Sequence, residues 1–89
     1  MKHRYLEVTY RKGKPIAAYL YLPRELGSNA ARTEDAGQGF RIDYDHLDRP
    51  VGIEITAPAI ATVERLNEIM QRLGLQPLPS QEWVPLQAA

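Results

Sequence analysis

The sequence predicts a small α+β domain: an antiparallel β-meander of three to five strands, one amphipathic helix packed on one face, and an extended Pro-rich C-terminal arm. Three observations predict this fold. Runs that alternate apolar and polar residues fill much of the first half of the chain, and one run with helical spacing follows them. Prolines then cluster in a segment that is still rich in apolar residues. We therefore expect one domain in residues 1–74 and the arm in residues 75–89.

Residues 40–56 carry the clearest strand signal. They form two alternating runs separated by a short polar turn, which is the pattern of a β-hairpin. Antiparallel pairing in a single register places Tyr44 opposite Val51 on one face and Arg41 opposite Glu54 on the other. The hairpin thus accounts for both the apolar and the charged positions of the segment.

A second hairpin is predicted near the start of the chain. Residues 4–10 and residues 15–22 both alternate, and a lysine-rich turn containing a glycine lies between them. The alternation directs Tyr5, Tyr19 and Tyr21 to the face opposite the aliphatic side chains. We expect this outer face to remain uncovered by the helix.

The connection between the two hairpins, residues 24–39, shows no apolar periodicity. We predict a long loop there, with room for a short edge strand at residues 31–34. Structureless loops of this length are uncommon inside compact domains and are often functional.

The helix is predicted over residues 59–73. Apolar residues recur there at helical spacing, with charged residues on the opposite side of the helix. Gly74 follows, as suits a residue just beyond a helix C-terminus, and two prolines come soon after it. We expect the apolar stripe, formed by Val63, Leu66, Met70 and Leu73, to cover the aliphatic face of the sheet.

The arm contains too many prolines for a helix or a central strand, yet it carries several apolar residues, among them Leu78 and Trp83. Two interpretations fit this composition. The arm packs in an extended form over its own domain with Trp83 as the anchor, because a tryptophan has a large apolar area to bury. Alternatively, it docks on a second subunit or on another protein.

The composition narrows the classes of function. The chain has 89 residues, no cysteine, and eleven basic against eleven acidic residues. The absence of cysteine excludes a disulfide framework and a cysteine-based zinc site, and the balanced charge disfavours nucleic-acid or membrane binding. No apolar run is long enough to span a membrane, so we expect a cytoplasmic protein. Outer-face tyrosines could stack on single-stranded bases, but they are more often packing or interface residues.

An acidic cluster at Asp43, Asp45 and Glu54 matches the first, third and twelfth positions of a calcium-binding loop. Leu47 stands where another oxygen ligand should be, and Asp48 replaces the glycine that the sharp turn requires. Strand patterns also replace the two helices that should flank such a loop. We therefore predict a solvated turn here, with no metal site, no cofactor and no catalytic residue.

Three segments carry a resemblance to a known family: the AYLYL strand at residues 18–22, the IDYD segment at residues 42–45 and the VGIEI strand at residues 51–55. In these segments the chain resembles the bacterial family catalogued as domain of unknown function 2283. The match covers roughly Tyr5 to Ala57, and Asp48 departs from it where the family has a turn glycine. The family has no established activity, so the resemblance implies a fold, together with an antitoxin-like role toward a protein partner.

From these features we expect a non-enzymatic protein-interaction module that self-associates, most simply as a dimer, and that binds or restrains a protein partner. An open antiparallel sheet over a thin core is most easily stabilised by oligomerisation. The interface residues are predicted to be Tyr5, Tyr19, Tyr21 and Trp83. The alternative function is a small-ligand-binding, metal-binding or enzymatic subunit that uses the acidic cluster on the outer face of the sheet.

Overall fold

The computed structural model describes residues 3–23 and 29–87, and these form five strands and two helices. The elements are β1 (Tyr5–Arg11), β2 (Lys14–Tyr21), β3 (Arg32–Gly37), β4 (Phe40–Tyr44), β5 (Pro50–Ile55), α1 (Val63–Arg72) and α2 (Ser80–Gln87). Strand β3 confirms the edge strand considered at residues 31–34 and extends it to Gly37. Residues 24–28 of the predicted connection lie outside the described part of the chain.

The strands form one sheet in the order β1-β2-β5-β4-β3, and every neighbouring pair is antiparallel. Strands β3, β4 and β5 form a meander, and the β1–β2 hairpin joins it because β2 pairs with β5. The predicted α+β class with an antiparallel meander is confirmed. The chain passes from β2 to the far edge of the sheet before the meander begins, so β1 and β3 become the two edge strands.

The predicted register of the second hairpin is confirmed over most of its length. Arg41 lies opposite Glu54, as expected, and the neighbouring pairs follow the same register. A shift between Asp43 and Tyr44 then places Tyr44 opposite Pro50 instead of Val51. The shift occurs where β4 enters the turn before β5, since that tight turn displaces the last pair by one position.

The core lies between the inner face of the sheet and the two helices. Alternate residues of the three central strands are buried there, which is the consequence of the two-residue period of a strand. The aliphatic stripe of α1 and two residues of α2 close the core from the other side. The buried side chains include Leu20, Leu22, Phe40, Ile42, Ile53, Ile55, Leu66, Ile69, Met70, Leu78, Trp83 and Leu86.

Helix α1 begins at Val63, four residues later than predicted, and ends at Arg72. Thr62 has an extended backbone and its hydroxyl accepts a hydrogen bond from the backbone N–H of Arg65 at 3.1 Å, so Thr62 is the N-cap. The preceding residues form a separate turn, in which the N–H of Ile60 donates to the carbonyl of Ala57. Gly74 follows the C-terminus with a φ of +74°, a conformation that glycine adopts without strain.

The extended conformation that we expected for the whole arm is wrong over Ser80–Gln87, which form helix α2. Pro85 lies inside this short helix and removes one backbone hydrogen-bond donor. This cost is the reason that the prolines of the arm predicted an extended conformation. Trp83 and Leu86 are each only 3% exposed and lie three residues apart on one side of α2. Burial of these two side chains outweighs the lost hydrogen bond, because tertiary packing provides most of the stability of a short helix.

Candidate functional site

The sheet face opposite the helices is the candidate functional surface. The strand register aligns two rows of side chains across all five strands on this side. We call it the tyrosine face and define it by Tyr5, Glu7, Tyr19, Tyr21, Thr33, Asp35, Arg41, Asp43, Gly52 and Glu54. It contains three of the four predicted interface residues.

Three tyrosine rings form a contiguous group on this face. The rings of Tyr5 and Tyr21 stack with centroids 4.5 Å apart and planes inclined by 18°. The ring of Tyr19 lies 4.7 Å from that of Tyr21 at an angle of 54°. Tyr5 is 50% exposed, while the other two are half-buried. The rings therefore hold one another in place while the group remains open to solvent on the β1 side.

Gly52 allows Tyr19 to lie across the sheet. A Cβ atom at Gly52 would be only 2.0 Å from the Tyr19 hydroxyl oxygen and 2.3 Å from the ring, so no other residue fits beneath this ring. The hydroxyl reaches over β5 and donates to Oδ2 of Asp43 on β4 at 2.6 Å. A glycine inside a strand often marks such a close approach. The sequence signal for this contact was a glycine between the β-branched residues Val51 and Ile53.

Asp43 receives a second hydroxyl from the edge of the sheet. Thr33 on β3 donates to Oδ1 of Asp43 at 2.6 Å, so one carboxylate joins β2, β4 and β3. At the other end of the face, the Tyr21 hydroxyl donates to Oε1 of Glu7 at 3.0 Å. Hydrogen bonds to an ionised acceptor are the stronger kind, and these fix both the carboxylates and the rings. The sequence predicted no role for Thr33, because the edge strand considered at residues 31–34 was given no partner strand, whereas β3 pairs with β4.

Asp45, the second residue of the predicted acidic cluster, is turned into the β4–β5 turn and is 2% exposed. Its Oδ1 accepts hydrogen bonds from the backbone N–H groups of Leu47 at 2.9 Å and Arg49 at 3.0 Å. Its Oδ2 accepts from Nε of Arg49 at 2.8 Å. The hydrogen bond from the Arg49 backbone is the main cause that holds the pKa of Asp45 below its ordinary value, although burial opposes it. Asp45 is thus an ionised cap that closes the turn.

The structure does not bring the three residues of the acidic cluster together. Asp43 bonds two hydroxyls, Asp45 closes the turn, and Glu54 lies opposite Arg41. Within residues 3–23 and 29–87, no group of three or more His, Cys, Asp or Glu side chains could hold a metal ion. The three carboxylates of the alternative prediction therefore lie in separate surroundings, and the alternative function stays a prediction.

Trp83, the fourth predicted interface residue, does not belong to the candidate surface. The indole is buried on the helix side of the sheet, with its ring centroid 6.3 Å from that of Phe40. Of the two interpretations of the arm, the structure supports packing on its own domain. The large apolar area of the tryptophan was the signal that pointed to this outcome.

Open concavities of about 310, 360 and 480 Å³ border the helices. The first lies between α2 and the segment before α1, and the other two lie near the C-terminal end of α1. None of the three includes a residue of the tyrosine face. The tyrosine face is an open sheet surface, which suits contact with a macromolecule better than enclosure of a small ligand.

Comparisons of the chain with protein-family models, curated proteins and solved structures found no match. The resemblance to the family of unknown function 2283 therefore stays a prediction. Across the described residues, no helix combines the length and the apolar character needed to cross a membrane.

Proposed function

We propose that this chain is a non-enzymatic protein-interaction module that self-associates and binds a protein partner through the tyrosine face. The observation that carries the proposal is the one-sided architecture of the sheet. Both described helices pack on the inner face, while the outer face presents a stacked group of tyrosines next to charged residues. Tyrosine is enriched at protein interfaces because its ring supplies apolar area and its hydroxyl supplies a hydrogen bond.

The tyrosine face is preorganised for binding. The Tyr19 and Tyr21 hydroxyls are bound to Asp43 and Glu7, and their rings are in contact. Immobilising a flexible side chain at an interface costs about 0.5–1.5 kcal/mol, and fixed rings avoid much of that cost. A partner that docks here therefore meets a surface whose side chains are already ordered.

The size of the face indicates what kind of partner contact it supports. Five strands spaced ~4.8 Å apart and about 17–26 Å long give the outer face of the sheet an area of roughly 400–600 Å². A standard protein–protein interface buries about 800 Å² on each partner. The tyrosine face of one chain alone is thus suited to a small contact of moderate affinity, and self-association enlarges it.

The carboxylates on the tyrosine face and in the neighbouring β4–β5 turn serve the fold rather than a reaction in this proposal. Asp43 and Glu7 hold tyrosine hydroxyls, and Asp45 closes a turn. A general acid or base works best in a site that excludes water, and an open sheet face does not exclude it. This arrangement favours the binding role over the alternative role as an enzymatic subunit.

A pair of serine variants at equally exposed positions tests the surface. Tyr5 is 50% exposed on the tyrosine face, and Val84 is 54% exposed on α2, on the helix side of the sheet. In native pull-downs from the source organism, Tyr5→Ser should lose the bound partner and Val84→Ser should retain it. Arg41 lies on β4, remote from β1, and Arg41→Glu should weaken the binding of the same partner.

Light scattering on each variant reports the mass of the assembly alongside the pull-down. A pull-down that recovers only the chain itself would contradict partner binding. Retention of the partner by both Tyr5→Ser and Arg41→Glu would show that another surface binds it. A wild-type mass equal to one chain at high micromolar concentration would contradict self-association.

A further inference from the structure

We infer that the chain self-associates by antiparallel pairing of its β1 edge with β1 of a second copy, which extends two five-stranded sheets into one. This inference rests on the proposed self-association and specifies the surface that mediates it. Strand β1 pairs with β2 on one side only. In the described part of the chain, no backbone group outside β2 bonds to the backbone of β1. Its other edge therefore presents unpaired N–H and C=O groups to solvent.

The two edges of the sheet differ in how they are protected. Strand β3 has charged side chains at three of its six positions and a register shift next to its terminal glycine. Charges and irregular pairing are among the usual devices that prevent an edge strand from pairing with another chain. Strand β1 is seven residues long, contains no proline, and has only Glu7 as a charge before its last residue. The register between β1 and β2 shifts once, between Thr9 and Tyr10, and the extra residue, Ile16, belongs to β2.

The sequence of β1 is complementary to itself in one antiparallel register. A two-fold axis through Val8 places Val8 opposite Val8 and pairs all seven residues of the strand. On the outer face it brings Tyr5 opposite Arg11, a cation–π pair, and Glu7 opposite Thr9. On the inner face it brings Leu6 opposite Tyr10, an aromatic–aliphatic pair.

The neighbouring registers are poorer. A shift by two residues in one direction sets Glu7 opposite Glu7, and like charges that face each other are destabilising. A shift in the other direction pairs only five residues, Glu7 to Arg11. One-residue shifts would place outer-face residues against inner-face residues, because side chains alternate along a strand. The axis through Val8 is therefore the register that the strand favours.

This pairing has a consequence for the proposed binding surface. A two-fold axis normal to the sheet keeps both tyrosine faces on one side and both helix layers on the other. The two faces then adjoin, which doubles the outer sheet area from roughly 400–600 Å² to about 800–1,200 Å². That area matches a standard interface, so the dimer presents a surface that one chain lacks.

Cysteine cross-linking tests the register of the β1–β1 pair directly, since the chain has no cysteine and each variant introduces a single one. Val8→Cys should form a disulfide-linked dimer under mild oxidation. Glu7→Cys and Thr9→Cys should each stay largely unlinked alone and should cross-link when mixed. Asp35→Cys, exposed on the opposite edge strand, is the control that should not cross-link in any combination.

Charge variants at Thr9 test the same pairing without a covalent bond. Thr9 is exposed and lies opposite Glu7 of the second copy, so Thr9→Glu creates two like-charge pairs and Thr9→Lys creates two opposite-charge pairs. The dissociation constant measured by analytical ultracentrifugation should rise roughly three- to thirty-fold for Thr9→Glu and fall for Thr9→Lys. Because both variants lose the same hydroxyl and branched Cβ, a shared change would come from folding alone.

The outcomes separate this inference from the proposed function. A wild-type chain that stays monomeric overturns self-association and the β1 pairing together. If the dissociation constant of the dimer is unchanged by Thr9→Glu and by Thr9→Lys, and Val8→Cys forms no disulfide, the β1 pairing is overturned while the proposed function stands. Efficient linkage of Glu7→Cys or Thr9→Cys alone overturns the register through Val8. A β1 edge that pairs only with a strand of another protein leaves the purified chain monomeric, and so counts against the inference.

Discussion

Replacing Gly52 with alanine should destabilise the protein, although glycine-to-alanine changes within strands usually stabilise. The usual gain is about 0.5–1 kcal/mol, because alanine has less conformational freedom to lose on folding. At Gly52 the new Cβ would meet the Tyr19 hydroxyl at 2.0 Å and its ring at 2.3 Å. The ring must move off β5, and its 2.6 Å hydrogen bond to Asp43 must break.

The magnitude follows from what is lost at Tyr19. A hydrogen bond to a charged group contributes about 1.5–3 kcal/mol, and displacement of the packed ring from Tyr21 adds roughly 0.5–1 kcal/mol. After the usual gain is subtracted, we expect Gly52→Ala to lower the free energy of unfolding by about 1–3 kcal/mol. Urea denaturation followed by circular dichroism, at one fixed protein concentration, measures this change.

A double-mutant cycle isolates the cause. In a Tyr19→Ala background the ring is absent, so Gly52→Ala should be neutral or stabilise by up to about 1 kcal/mol. The reasoning is refuted if Gly52→Ala is harmless in the wild-type chain. It is equally refuted if the penalty is the same with and without the Tyr19 ring, since the contact between the two residues would then not be its source.

Other predictions concern the turn, the helix cap and the buried arm. The pKa of Asp45 is held below its ordinary value in the folded protein. This residue therefore stabilises the fold at pH above about 4, where an aspartate of the unfolded chain is ionised. The stabilisation is lost as the pH falls through the lower pKa of the folded state. Asp45→Asn should therefore flatten the acid limb of a stability–pH curve, and an unchanged limb would contradict the capping role. Thr62→Ala should cost about 1 kcal/mol by removal of the α1 N-cap, whereas Thr56→Ala, at an exposed position outside the helices, should cost less than about 0.5 kcal/mol in the same urea titration. Trp83→Ala should cost about 3–5 kcal/mol, whereas Val84→Ala, at a position that is 54% exposed, should stay within about 1 kcal/mol; similar losses at the two positions would show that α2 is not anchored by its tryptophan.

The candidate surface was only partly predictable from the sequence. Alternation along β1 and β2 placed Tyr5, Tyr19 and Tyr21 on one face, because the period of a strand is local information. The partners of these tyrosines were not predictable. The bond from Tyr19 to Asp43 joins residues 24 positions apart, and it depends on which strands are neighbours.

The acidic cluster shows that spacing along the chain can also suggest a site that the fold does not bring together. Its spacing along the chain resembled a ligand set, but the fold gave each carboxylate a different task. Asp43 fastens hydroxyls on the outer face, while Asp45 folds back on its own turn. Spacing alone could not separate these roles, because the direction of a side chain after the end of a strand is set by the turn.

By itself, the sequence determined the hairpin of β4 and β5, the outward direction of the tyrosines and the apolar stripe of α1, since each follows from the period of one element or one adjacent pair. Only the tertiary structure decided the neighbours β2 and β5, the helix in the Pro-rich arm and the burial of Trp83. These features depend on contacts between distant segments, and the free energy gained by burying Trp83 and Leu86 exceeds the local preference of the arm against a helix.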